Sequence, residues 1–339
     1  MYNKTVLENV VDWLIETKGT VVNVASPLLY EIIASVVFLL MITRGRKTWM
    51  DCMHLFSFVE GIFYLAIPEN SFGVWVTGVM TESHASLIRY MALVVITWAL
   101  TYFLLRNSTD STVQSSFMLS FLAMLVCNLM AMGYLMTHNQ TKAKVKIEEK
   151  GLFLLFYMSL LGTVGTLFHT LFMRDWGGYG EIASHANLHT RLHFVLLLLS
   201  AVLSYALPSW CLKMAFPQVK SFDTVHVLVE RGIGAIAFGM AFLVLRVPNF
   251  LRQNDKEAVL AAQWLMMVVT ACYGVYQYIT GWNIYTTGLI VVGVIFDLIV
   301  FANITGALDR DVSVFKRVVL PKFRAIPGDL KQFFKMKTM

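Results

Sequence analysis

The sequence predicts an all-α, polytopic transmembrane bundle of about nine spans, and three observations carry that reading. Only 14% of its 339 residues are charged, against about 25% in soluble domains, so most of the surface cannot face water. Hydrophobic residues make up 57%. They gather in runs of roughly 20, the helix length that crosses a hydrocarbon core of about 30 Å. A β-barrel would show shorter, alternating segments instead. With 7 prolines and 21 glycines, the composition is not that of a disordered chain.

Residues 1–25 lack a basic stretch leading into a long apolar core, so they do not read as a signal peptide. Val6, Val10, Trp13, Leu14 and Thr17 recur at helical spacing. That pattern predicts a short amphipathic helix, lying on a membrane surface or against the protein's own loops. The transmembrane domain is expected over 26–305. Its spans are read at 26–43, 51–68, 85–105, 115–137, 151–173, 190–212, 225–247, 257–279 and 284–305. The second is short and carries Glu60. A basic, amphipathic, cytosolic tail is expected over 306–339. The cysteines Cys52, Cys127, Cys211 and Cys272 stand singly and imply no disulfide framework.

Lys and Arg in short loops set orientation. The tail carries eight basic residues against three acidic ones, which places it in the cytosol. Arg44, Arg46, Lys47, Arg252 and Lys256 fall on the same side. Nine spans then place the N-terminus in a lumen or outside. The loop 138–150 opposes this, because Lys142, Lys144, Lys146 and Lys150 become lumenal, offset in part by Glu148 and Glu149. The triplets Asn3-Lys4-Thr5 and Asn139-Gln140-Thr141 read as lumenal glycosylation acceptors. There is also an internal echo. Asp51-Cys52-Met53-His54 and Asp223-Thr224-Val225-His226 each precede a span, which points to two four-helix halves with the fifth span as spacer.

Chemistry is sparse. His185, His189 and His193 recur every four residues and share one helix face. Neighbouring members can ligate one zinc ion. The outer two stand about 12 Å apart along the axis, so a third ligand must come from elsewhere, with His169, Asp175 and Glu181 as candidates. The alternative is an interfacial helix start whose histidines meet headgroups or loop carbonyls. Glu60, Glu230, Arg231 and Asp297 lie inside spans, where lipid exposure costs several kcal/mol. They read as helix-gluing polar groups or as a proton or cation path, with Asp297 a partner for Arg231. In the tail, Lys316, Arg317, Lys322, Arg324, Lys331 and Lys335 interleave with Val and Phe. That suits anionic headgroups or a protein partner, and not nucleic acid. No phosphate loop, nucleophile elbow or dinucleotide fingerprint is present.

Within 53–106, a span ends in Leu65-Ala66-Ile67-Pro68-Glu69, an aromatic-rich turn follows, and Ile88-Arg89-Tyr90 opens the next span. This stretch resembles the small multi-pass family of the p53-inducible membrane protein eleven. The resemblance implies an integral endomembrane protein, and it brings no catalytic motif with it. The family pattern has about four spans, fewer than this chain.

The residues point first to a non-enzymatic membrane subunit without a catalytic residue or cofactor. It would anchor or organise a larger assembly, with lipid handling or lipid transfer as its setting. Its partners would be membrane lipids and other membrane subunits, and its location the endoplasmic reticulum or plasma membrane. A transporter or channel using the intramembrane carboxylates is the alternative. A zinc-dependent lipid hydrolase built on the His185 cluster is the second.

Overall fold

The computed structural model describes residues 36–73, 75–138, 145–178, 180–182, 184 and 186–279. Its described part is all-α apart from one two-residue strand pair. After a helical stretch at 36–43 come α1 (Arg46–Ala66), α2 (Pro68–Gly73), β1 (Val76–Thr77), α3 (Glu82–Leu105) and α4 (Ser111–His138). There follow β2 (Lys146–Ile147), α5 (Glu149–Leu171), α6 (Ala186–Ala206), α7 (Pro208–Ala215), α8 (Thr224–Arg246) and α9 (Gln253–Ile279).

Among the described residues, six helices are long and apolar enough to cross a membrane: α3, α4, α5, α6, α8 and α9. They correspond to the third to eighth expected spans. The second expected span is the helix α1, which falls outside that group and carries Arg46, Lys47, Asp51 and Glu60. The sixth expected span, 190–212, is two helices. Apolar composition runs through Leu207-Pro208, but proline cannot continue a helix and is at home in the first turn of a new one. The N-terminal amphipathic segment, the ninth expected span, Asp297 and the basic tail lie outside the described residues. So does the first expected span up to residue 35.

Successive helices alternate in direction, so the bundle has two ends. At one, the starts of α1, α4, α6 and α9 meet the ends of α3, α5 and α8. Basic side chains collect here and are tied down. Arg106 pairs with Asp51 at 2.7 Å, and the Tyr102 hydroxyl donates to the same carboxylate. Lys256 is 1% exposed and donates to the carbonyls of Pro248 and Ile182 and to Asn187 Oδ1. At the other end lie α2, α7 and the β1–β2 pair. This antiparallel pair matches Val76 with Ile147 and Thr77 with Lys146, and so staples the α2–α3 connection to the α4–α5 connection.

The helices α3 and α8 run through the centre, with 67% and 72% of their apolar windows buried, against 33% for α5 and 22% for α6. Each carries apolar residues around its whole circumference, with few charges, the pattern of a helix surrounded by others. Around them α3 packs on α1, α8 and α9, and α8 packs on α6, α4 and α3. One core cluster gathers Trp98, Phe117, Phe121, Val244 and Phe250, and another gathers Tyr64, Ile88, Leu212, Val225 and Val229.

Small residues let the central helices approach their neighbours. A Cβ on Gly234 would stand 2.8 Å from Tyr205 N and 3.1 Å from Ala201 O, both backbone atoms. On Gly133 it would meet only Phe156, at an ordinary 3.7 Å. Gly234→Ala is therefore expected to destabilise by about 1–3 kcal/mol through overpacking. Gly133→Ala is expected to be neutral or stabilising, since alanine is the better helix former by about 1 kcal/mol. The melting temperature of the purified protein in detergent checks the contrast.

A candidate site where two central helices begin

Thr81 and Asp223 stand immediately before α3 and α8. Such residues are preferred there because a side-chain oxygen can meet the N–H groups that the first turn leaves unpaired. Asp223 Oδ1 accepts the N–H groups of Val225 and His226, each at 3.1 Å. The third residue of each helix is a histidine, His84 and His226. In a capping box this position reaches back to the cap residue's own N–H. His84 does so, its Nδ1 accepting the Thr81 N–H at 3.1 Å.

The proton positions follow from what each partner can do. A backbone N–H only donates, so His84 Nδ1 is unprotonated and the neutral ring carries its proton on Nε2. Nε2 donates to Asp223 Oδ2 at 2.9 Å. A carboxylate only accepts, so His226 Nδ1, 3.0 Å from Asp223 Oδ1, is a donor. In the neutral ring its Nε2 accepts from the Ser83 hydroxyl, at 3.0 Å. The Thr81 hydroxyl lies 2.8 Å from both Ser83 Oγ and His84 Nδ1. The two imidazoles lie in contact, tilted by 40° with centroids 3.8 Å apart, and each histidine is 2% exposed. One carboxylate thus receives four hydrogen bonds. Burial works against its charge, but the hydrogen bonds from His226 and His84 outweigh that cost, and the Asp223 carboxyl lies well below the ordinary carboxylate range.

Three chemistries can be read in this geometry. Ligand atoms of His84, Asp223 and His226 lie within 4.8 Å of one another, a spacing one tetrahedral ion can bridge. Zinc needs an imidazole lone pair, which His84 Nε2 offers only once Nδ1 releases the Thr81 N–H. Ser83, His226 and Asp223 stand in the order of nucleophile, base and orienting carboxylate, with Ser83 6% exposed. Third, the cluster is a clasp. Every nitrogen and oxygen of the Thr81, Ser83, His84, Asp223 and His226 side chains is met by another protein atom, the condition under which buried polar groups rigidify a core.

A model of the family described as Domain of unknown function (DUF8292) matches residues 51–308. The chain belongs to that family. No curated protein and no solved structure matches it. The DUF8292 region takes in all five cluster residues. It leaves out residues 1–50 and 309–339, and with them the expected N-terminal amphipathic segment and the tail's basic residues.

The residues singled out from the sequence fall elsewhere. His185 lies outside the described residues. His189 and His193 sit on α6; His193 is buried and His189 Nδ1 is buried without a hydrogen-bond partner. Among the described residues neither belongs to a group of three potential ligands, and the group that forms is His84, Asp223 and His226. Of the other candidate ligands, His169 lies at a tilt to the Trp49 ring with its Nε2 buried and without a hydrogen-bond partner, while Asp175 accepts the Gly177 N–H and Glu181 accepts from Asn187 and Arg191. Glu60 accepts from the Tyr64 hydroxyl. Glu230 is 8% exposed and bonds with Ser204. Its neighbour Arg231 lies over the Tyr134 ring, 4.4 Å from the centroid, a cation–π contact. Asp297 and Lys316, Arg317, Lys322, Arg324, Lys331 and Lys335 lie outside the described residues.

His84 and Ser83 escaped the sequence reading, although both helix starts carry the signal of a capping residue with histidine three positions on. Because the folded carboxyl is depressed, its stabilisation is complete above the unfolded carboxylate range, near pH 4, and is lost as pH falls toward the lowered folded value. Asp223→Asn is expected to cost about 2–4 kcal/mol at pH 7, the scale of breaking a buried charged network. The gap from wild type is expected to persist at pH 5, measured by thermal unfolding in detergent at both values.

Proposed function

We propose that this protein is a non-enzymatic integral membrane subunit that anchors or organises a larger assembly in the endoplasmic reticulum or plasma membrane, in the setting of lipid handling. The observation that carries the reading is the clasp. The cluster with the most chemical potential spends its donors and acceptors on itself, tying α3 to α8. Polar groups used in this way serve helix association before reaction.

The outward faces support the same reading. On α6, Leu188, Leu192, Val195, Leu199 and Val202 are exposed, and on α5 so are Phe153, Leu167, Phe168 and Leu171. Exposed apolar faces suit lipid chains or a partner's helices. The test is purification from native membranes in mild detergent, with the mass of the particle measured. The expected particle is heavier than the 38.4 kDa chain and carries other subunits in fixed proportion. A chain that runs alone, with nothing cross-linked to it in the membrane, overturns the proposal.

A second reading, a zinc-dependent membrane hydrolase, is favoured by one observation, the spacing of His84, Asp223 and His226. It moves the expected metal from the His185, His189 and His193 helix to the starts of α3 and α8. Elemental analysis decides it. Stoichiometric zinc, lost in His84→Ala, supports this reading over the first, and zinc below a tenth of an equivalent removes it.

A further inference from the structure

The elements on either side of α5 follow one plan. The first helix of each set, α1 or α6, is 21 residues long. Each ends in Ala, an aliphatic residue and Pro: Ala66-Ile67-Pro68 and Ala206-Leu207-Pro208. The breaks have the same geometry. Ile67 has φ −138° and ψ 60°, and Leu207 has φ −122° and ψ 49°. The Ile67 N–H bonds to Phe63 O at 2.9 Å, and the Leu207 N–H to Leu203 O at 2.9 Å. A short helix with Pro first follows in each set, α2 or α7. Then come α3 and α8, of 24 and 23 residues, and α4 and α9, of 28 and 27.

The packing repeats as well. Gly61 of α1 crosses α3 at Ala92, and Ala201 of α6 crosses α8 at Gly234. Gly61 and Ala201 hold the same place in α1 and α6, and Ala92 and Gly234 the same place in α3 and α8. In each crossing one partner is glycine, on opposite sides. Across the sets, α8 packs on α4 and α3 packs on α9, while α3 and α8 pack on each other. A twofold rotation between α3 and α8 generates this pattern. Corresponding helices run in the same direction, so the axis lies along the helices, as in parallel-repeat membrane proteins.

We infer that the chain is two copies of one helical unit, α1–α4 and α6–α9, joined through α5, and that α3 and α8 are the surface by which the copies pair. The partner this surface fits is a second copy of the same unit. In this register His84 corresponds to His226, Arg89 to Arg231, and the cap residue Thr81 to Asp223. The echo of Asp51-Cys52-Met53-His54 with Asp223-Thr224-Val225-His226 is therefore a coincidence of letters. Asp51 lies inside α1, not in front of it, and bonds to Tyr102 and Arg106. The two touching imidazoles flank the axis, and the single carboxylate comes from one copy's cap only. The inference goes beyond the proposed function and is independent of it.

An exchange of the caps tests the symmetry. Asp223→Thr leaves a serviceable cap on α8 but removes the carboxylate from both histidines. It should lower the melting temperature of the full-length protein by about 5 °C, at 2–4 °C per kcal/mol. Thr81→Asp alone places two carboxylates on one histidine pair and should also destabilise. By the twofold relation, the double variant puts one carboxylate back between the rings, facing them from the other copy. It should recover at least half of the loss seen in Asp223→Thr, a coupling that independent sites do not show. Losses that add overturn the inference. If Asp223→Thr yields no folded protein, the readout becomes the yield of monodisperse protein. Recovery on adding Thr81→Asp supports the pairing, and no recovery overturns it.

Discussion

A carboxylate withdrawn from water must be met by donors, and at the start of α8 that requirement shapes the centre of the molecule. Asp223 finds two donors in its own first turn, a third in His226 and a fourth in His84, on the other central helix. The last bond makes a local cap into a tertiary one. It sets how far α3 may slide along α8, because His84 is itself tethered through Nδ1 to the Thr81 N–H. With those two starts in register, the apolar lengths of the helices pack side by side, and the outer helices α1, α4, α6 and α9 have a fixed core to wrap.

Polar interactions elsewhere follow the same economy. At the opposite end, buried Lys256 is held by three oxygens from two connections and α6. Asp51 there gathers Tyr102 and Arg106 from α3 and its exit. Glu60, Glu230 and Arg231 each settle on a neighbour, a tyrosine hydroxyl, a serine hydroxyl and a tyrosine ring. In a low-dielectric interior an unpaired charge is expensive, and hydrogen bonds or ring faces answer each one. Apolar packing and close backbone approach join the helices between these polar contacts.

The helices were legible because length and hydropathy determine them locally. The third, fourth, fifth, seventh and eighth expected spans agree with α3, α4, α5, α8 and α9 to within a few residues. The sixth went wrong because hydropathy does not sense the missing N–H of Pro208. The site was harder to read, since its two halves lie 139 residues apart between His84 and Asp223. No periodicity within a window can join them. In the sequence Asp223 and His226 stand out only as letters that repeat Asp51 and His54, and that repetition aligns an interior position of α1 with a cap of α8. Position relative to the helix start was the readable quantity. The histidines of α6 are close together in sequence, whereas the imidazoles that touch come from different helices.

The lopsidedness of the clasp has a consequence for ancestry. Two identical subunits paired about a twofold axis must present either two carboxylates or none to the facing imidazoles, since whatever one contributes the other contributes too. The arrangement seen here, threonine on one side and aspartate on the other, is closed to a symmetric homodimer and open to a fused pair. Covalent linkage after duplication released the two caps from sameness, and a single negative charge could then settle at a spot where a symmetric dimer would have faced repulsion or vacancy.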